Sequence, residues 1–184
     1  MTYLYIGILL FFGIHLVPAL GPLKAGLVNR FGDKGYRALF ALVSAAGLGL
    51  MIWGMAQADK TPLYTPPPWG VMVTYLLVFP AFVLLASAHM KGRIRKMVRH
   101  PMLLGVLMWA VGHLLANGDR AGTWLFGSFA VYSVFGIVSS SLRDPAPEYT
   151  IKPVHDIMAL VGGIALALVF VFYAHQFLFG VKII

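Results

Sequence analysis

Two histidines carry the strongest chemical signal in this sequence. His15 and His113 each lie inside an apolar run, GILLFFGIHLVPAL and PMLLGVLMWAVGHLLA. An ionisable side chain surrounded by hydrocarbon-forming residues is costly, and is by default a hypothesis of function. His15 lies 12 residues beyond Tyr3 and His113 the same number beyond Pro101, about 18 Å along a helix in each case. The spacing therefore puts both imidazoles in the middle third of an apolar layer. His89, His100 and His155 fall near one face of that layer and His175 near the other.

The chemistry open to two such imidazoles is narrow. Asp33, Asp59, Asp119, Asp144, Glu148 and Asp156 all fall in loops or at the ends of apolar runs, so no carboxylate accompanies either histidine. Zinc takes three or four protein ligands, and an intramembrane proton relay usually strings carboxylates together. Haem needs only axial ligands, because the porphyrin fills the other iron positions. Two imidazoles on different helices thus fit haem b better than a bare metal. The competing reading is that each ring is satisfied by a serine, a threonine or a backbone carbonyl nearby, and the spacing leaves both open. Met102, Gly105, Trp109 and His113 share one helical face, and Gly7, Ile8, Phe11 and Phe12 lie on the His15 side. Phe11 and Trp109 are therefore candidate cofactor-contacting residues. Gly105 and Gly112 leave room for a flat ring or for a neighbouring helix, and Pro18 loosens the backbone beyond His15.

A second cluster is Arg99-His100-Pro101, at the end of the basic stretch KGRIRKMVRH. Proline has no amide to lose in a first helical turn, so Pro101 opens a helix. The cluster serves topology and lipid-headgroup contact, or grips an anionic cofactor at a helix N-terminus.

The elements that must position these residues are membrane helices. Of the 184 residues 60% are hydrophobic and only 11% charged, with a mean hydropathy of +0.84. The expected fold class is all-α, a polytopic membrane helical bundle forming a single transmembrane domain over residues 1–184. Six transmembrane helices are expected, at Tyr3 to Leu20, Tyr36 to Met55, Trp69 to Met90, Pro101 to Asn117, Thr123 to Leu142 and His155 to Gly180. The runs are continuous rather than alternating, which excludes a barrel. There is no cysteine, so disulfides and thiolate ligands are ruled out. No cleaved signal peptide is expected, because only Met1 and Thr2 precede the first apolar run.

The net charge of +8 is distributed like a membrane protein's rather than a nucleic-acid binder's. Lys24, Arg30, Lys34, Arg37, Lys91, Arg93, Arg95, Lys96, Arg99, Arg143 and Lys152 fall in alternate loops, eleven in all, against three, Lys60, Arg120 and Lys182, on the other side. The positive-inside rule then puts the eleven on the cytoplasmic side and both termini on the outer side. Lys60 to Pro68 and Asp144 to Pro153 are proline-rich connectors.

The motifs GIHLVPAL, FGDKGYRALFALVS and RHPMLLGVLMWAVGHLLANGD resemble the NnrU family of bacterial membrane proteins, over nearly the whole chain. The resemblance implies an association with denitrification and nitrogen-oxide metabolism. That family is similar in turn to the plant zeta-carotene isomerase, a membrane enzyme that binds haem b through histidines. Carried onto this chain, the resemblance implies His15 and His113 as the iron ligands. The plant enzyme has a cysteine three residues before the second histidine; here that position is Ala110, so a thiolate ligand is not available. Arg99-His100-Pro101 also resembles the RHPxYxG motif of isoprenylcysteine carboxyl methyltransferases, with Leu103 in place of the tyrosine and without their acidic C-terminal motif.

The expectation is thus a haem b-binding membrane protein of nitrogen-oxide metabolism. Its partners would be the lipid bilayer, an apolar small molecule or nitric oxide, and a respiratory reductase, with no nucleic acid. As an enzyme it would be a redox-gated isomerase. The alternatives are an S-adenosylmethionine-dependent membrane methyltransferase and a non-enzymatic accessory protein for a respiratory reductase.

Overall fold

A peptide group in hydrocarbon must bond within its own segment, so long apolar runs become helices. The structure is a computed structural model that describes residues 1–143, 145–180 and 182–183. The helices are α1 (Thr2–Leu16), α2 (Gly21–Gln57), α3 (Gly70–Ser87), α4 (Arg93–Val98), α5 (Pro101–Ala116), α6 (Arg120–Arg143), α7 (Pro153–Val169) and α8 (His175–Phe179). A 3₁₀ turn, Val17–Ala19, joins α1 to α2, and a π-helical turn, Phe170–Ala174, joins α7 to α8. No β-strand forms among the described residues, only an isolated bridge between Pro62 and Asp119. The fold class is all-α, a membrane helical bundle.

Five segments are long and apolar enough to cross a membrane: Thr2–Ala19, Gly21–Gln57, Gly70–Ser87, Arg120–Arg143 and Pro153–Leu178. The fourth expected span corresponds to α5, which is shorter at 16 residues, or about 24 Å.

Two expectations about the connections are corrected. The segment after the first span is helical from Gly21 onward rather than a loop, and it is interrupted only at Gly32, with φ 69° and ψ 167°. That backbone lies in a region open to glycine and closed to most side chains, so one long helix is broken where the polar arm meets the apolar run. The basic stretch before Arg99 likewise contains a short helix, α4, where a loop was expected. Asp144, assigned to a loop from sequence, lies outside the described residues.

The chain divides into two compact units. The first comprises Met1–Leu63 and Asp119–Ser128. In it α1 lies against α2 along small residues. A β-carbon on Gly7 would come within 2.6 Å of the Met51 backbone nitrogen, and one on Gly47 within 2.7 Å of the Phe11 nitrogen. One on Gly54 would strike the backbone of Leu4. Leu4 and Met51 are accordingly buried. Backbones approach this closely only where side chains are absent, which is how helices gain dispersion energy in lipid. Trp124 meets Tyr5 edge to face at 5.5 Å.

The second unit comprises Tyr64–Gly118 and Phe129–Ile184. Its α3 packs against both α5 and α7. Gly105 faces the Ala81 carbonyl, Gly112 faces Thr74, and Gly163 faces the Val83 backbone. Ala159, Gly163 and Ala167 form a buried stripe along α7 at four-residue spacing, the small-residue seam expected of a membrane interface. Thr74 Oγ1 donates to the Gly112 carbonyl at 2.6 Å, tying α3 to α5. The outer connector is fastened to the end of α5: Tyr64 Oη donates to the carbonyls of Leu114 and Asn117, and its amide donates to the Gly118 carbonyl at 3.1 Å.

These contacts make a direct prediction. Gly54→Ala and Gly163→Ala each force backbone apart and should lower stability by about 1–3 kcal/mol, read as a reduced melting temperature in detergent. Gly49→Ala, which meets open space, should be neutral or slightly stabilising, since alanine is the better helix former.

Candidate functional site

In the first unit, His15 sits in the last turn of α1, where Pro18 and the 3₁₀ turn end the helix. Its Nδ1 donates to the Phe11 carbonyl one turn back, at 2.6 Å. The ring stacks on Phe11 at 4.1 Å and 25°, and leans on Phe40 of α2 at 4.9 Å. Phe11 is thus a wall of the His15 environment, as expected.

In the second unit, His113 lies in the last turn of α5 and repeats the arrangement. Its Nδ1 donates to the Trp109 carbonyl, again one turn back, at 2.8 Å. Trp109 flanks the ring at 5.0 Å and meets Phe129 of α6 edge to face at 5.3 Å. Asn117 caps the helix by donating from Nδ2 to the His113 carbonyl at 2.9 Å. The glycines of this helix are not cofactor space: Gly105 and Gly112 are filled by α3. Of the two uses open to them in sequence, the neighbouring helix is the one realised.

A carbonyl only accepts, so Nδ1 must carry the proton in both rings, and in a neutral imidazole the lone pair then sits on Nε2. Fixing one ring nitrogen to a carbonyl is the way proteins set the tautomer and orientation of a metal-ligating histidine. Each ring, within its own unit, thus has its tautomer set by a single backbone bond. His15 and Phe11 belong to one unit, and His113 and Trp109 to the other. Among the described residues no group of three or more His, Cys, Asp or Glu side chains comes together as a metal cluster, so a polydentate bare-metal site is not assembled there.

The Arg99-His100-Pro101 cluster is brought together as a unit. Arg99 ends α4 with φ 61°, an uncommon conformation for a non-glycine residue. That turn allows Arg99 Nη2 to donate to the Ser141 carbonyl at 3.1 Å, while His100 Nε2 and Ser141 Oγ lie 3.0 Å apart. Pro101 begins α5, as expected. Beside them is an open cavity of about 180 Å³ whose polar lining is Arg95, Arg99 and His100 and whose apolar wall includes Ala88, Met102 and Leu103. Pockets for small-molecule cofactors span about 300–1,000 Å³, so this cavity alone does not enclose a molecule of S-adenosylmethionine size.

Sequence reading missed the residues that hold this cluster in place. Asp156, near the start of α7, accepts from the amides of Arg93 and Ile94 at 3.0 Å each, capping α4 from a different helix. His155 Nδ1 accepts from the Lys91 amide at 2.8 Å, and Tyr149 Oη donates to the Gly92 carbonyl at 2.8 Å. Arg95 lies over the Tyr149 ring at 5.7 Å. Gly92 is needed because a β-carbon there would strike the Asp156 carboxylate. No local signal marked Asp156, which lies more than sixty residues from the amides it caps. Asp119, assigned from sequence to a loop or a span end, caps α6, with Oδ1 accepting from the Gly122 amide at 2.8 Å.

Fold and site together define a polytopic helical membrane protein with one histidine bonded to its own helix in each unit and an ordered basic cluster around the start of α5. The NnrU protein family model matches residues 3–183, and the chain belongs to that family, whose members are membrane proteins linked to nitrogen-oxide metabolism. No curated protein and no solved structure matches it.

The trans-cap gives a testable outcome. Asp156→Ala should raise amide hydrogen exchange at Arg93 and Ile94 and through α4, while the amides in the middle of α5 stay as protected as before. Asp156→Asn should give an intermediate effect, because an amide oxygen still accepts one bond.

Proposed function

We propose that the protein binds haem b with His15 and His113 as axial ligands and serves nitrogen-oxide metabolism as a redox or sensing protein. The supporting observation is the matched bonding of the two rings. Each donates Nδ1–H to the carbonyl four residues back, which presents Nε2 as the basic nitrogen. Phe11 and Trp109 hold the rings against rotation. When bound, haem b would supply a one-electron iron centre whose potential the two imidazoles help to set, and nitric oxide would reach the iron only if one histidine lets go. Asn117 and the helix termini fix the ends of the two turns that carry the ligands. An apolar substrate for isomerisation is supported only by the resemblance to the plant enzyme.

The test is optical. Protein expressed with ample haem should show a Soret band that sharpens and shifts on reduction, with a low-spin electron paramagnetic resonance signal when oxidised. His15→Ala and His113→Ala should each reduce haem content, and His89→Ala should leave it unchanged. A colourless preparation under haem-replete expression overturns the proposal.

We also propose an inner-membrane location with both termini in the periplasm, on the charge asymmetry of eleven to three between alternate connections. A C-terminal alkaline phosphatase fusion should be active and a C-terminal green fluorescent protein fusion dark. The reverse pattern inverts the topology.

A further inference from the structure

We infer that the cavity beside Arg99 is a binding site for a phosphate group, carried by an anionic phospholipid at the membrane surface or free in solution. Three observations converge on it, independently of the haem proposal. The first is chemistry. Arg95, Arg99 and His100 supply the polar lining, and no carboxylate is among the lining residues. Guanidinium groups present paired donors matched to phosphate oxygens. Asp156 has its two oxygens on the amides of Arg93 and Ile94, so it orders the basic segment and is not among the residues that line the cavity.

The second is order. These cations do not sit on a solvated loop. Arg99 is held at φ 61° with its guanidinium on the Ser141 carbonyl. Arg95 rests on Tyr149, whose hydroxyl bonds to Gly92. Backbone strain of this kind persists where surrounding structure enforces it, and it clusters at ligand sites. A lysine- and arginine-rich stretch that served only to orient the chain would need none of these contacts.

The third is size and position. The cavity of about 180 Å³ is smaller than the ~300–1,000 Å³ of drug-sized ligand pockets, on the scale of a headgroup phosphate. It opens where α3 ends at Ser87 and α5 begins at Pro101, at the ends of apolar segments, which is the headgroup level of a bilayer. Ala88, Met102 and Leu103 give it an apolar wall, suited to the first methylenes attached to a phosphodiester. Basic pockets between membrane helices bind anionic headgroups in this way.

The experiment uses the full-length protein in neutral detergent, with dioleoyl phosphatidylglycerol or dioleoyl phosphatidylcholine added and retained lipid counted by native mass spectrometry. Phosphatidylglycerol should be retained and phosphatidylcholine not. Arg95→Gln should weaken retention about five-fold, the effect of one lost basic residue near a charged headgroup. Met102→Trp should weaken it with no change in charge, by filling the cavity. The double variant Lys24→Gln with Arg30→Gln, which removes the same kind of charge from the arm of α2, should leave it unchanged. Inorganic phosphate at millimolar concentration separates the two sources. Competition with the lipid marks a site that also takes free phosphate, and no competition marks a headgroup site. Equal retention by the native protein, Arg95→Gln and Met102→Trp would overturn the inference. So would an equal loss in the α2 double variant, or displacement of the lipid by S-adenosylmethionine at phosphate-free conditions. Haem content is read optically and lipid retention by mass, so failure here and failure of the haem proposal are separable.

Discussion

Every polar hydrogen inside a lipid-embedded helix must find an oxygen within the protein, because no water is there to receive it. This constraint shows in the side-chain bonding of the apolar helices. His15, His113, Ser87 and Ser128 each return a proton to a carbonyl on the preceding turn of their own helix, and Thr74 Oγ1 lies between the carbonyls of Gly70 and Gly112. For the hydroxyls the result is local satisfaction of a donor. For the imidazoles the same bond has a second effect, since it decides which ring nitrogen is protonated and so which one is basic. A rule imposed by the solvent thereby fixes the tautomer of two side chains.

Outside the apolar segments the governing term changes from solvation to charge. The basic stretch before α5 would repel itself if left unstructured, yet it folds into a short helix. One carboxylate, two residues of backbone and a tyrosine hold it there. Asp156 faces the amide end of α4, where unsatisfied N–H groups and the helix dipole favour an anion. The cap comes from another helix, so the fold of this surface depends on α7 being in place. The local sequence of the basic stretch does not encode it.

That division also explains what was legible in the sequence. Apolar runs must become helices, so most helical segments could be placed within a few residues, although α2 begins well before Tyr36. Counting along an assumed span set His15 and His113 in mid-layer, and each lies in the last turn of its helix. Proline at the start of α5 is a local signal and was legible. The break at Gly32 was not legible, because a glycine amid polar residues reads as loop when the helix resumes on both sides. Gly105 and Gly112 were ambiguous for a different reason: a missing side chain shows only that something approaches, and α3 turned out to be the neighbour. Asp156 and Ser141 were missed because their partners lie more than forty residues away in the chain.

The π-helical turn at Phe170–Ala174 has a consequence for how the end of the chain is read. A turn closed five residues back accommodates one residue more than an ordinary α-turn, so everything after Ala174 is rotated by about 100° relative to a continuous helix. Helical-wheel projections carried straight through from α7 therefore assign His175 and Gln176 to the wrong flank. Against a chain with an uninterrupted helix here, a one-residue gap is needed to keep the flanks in phase.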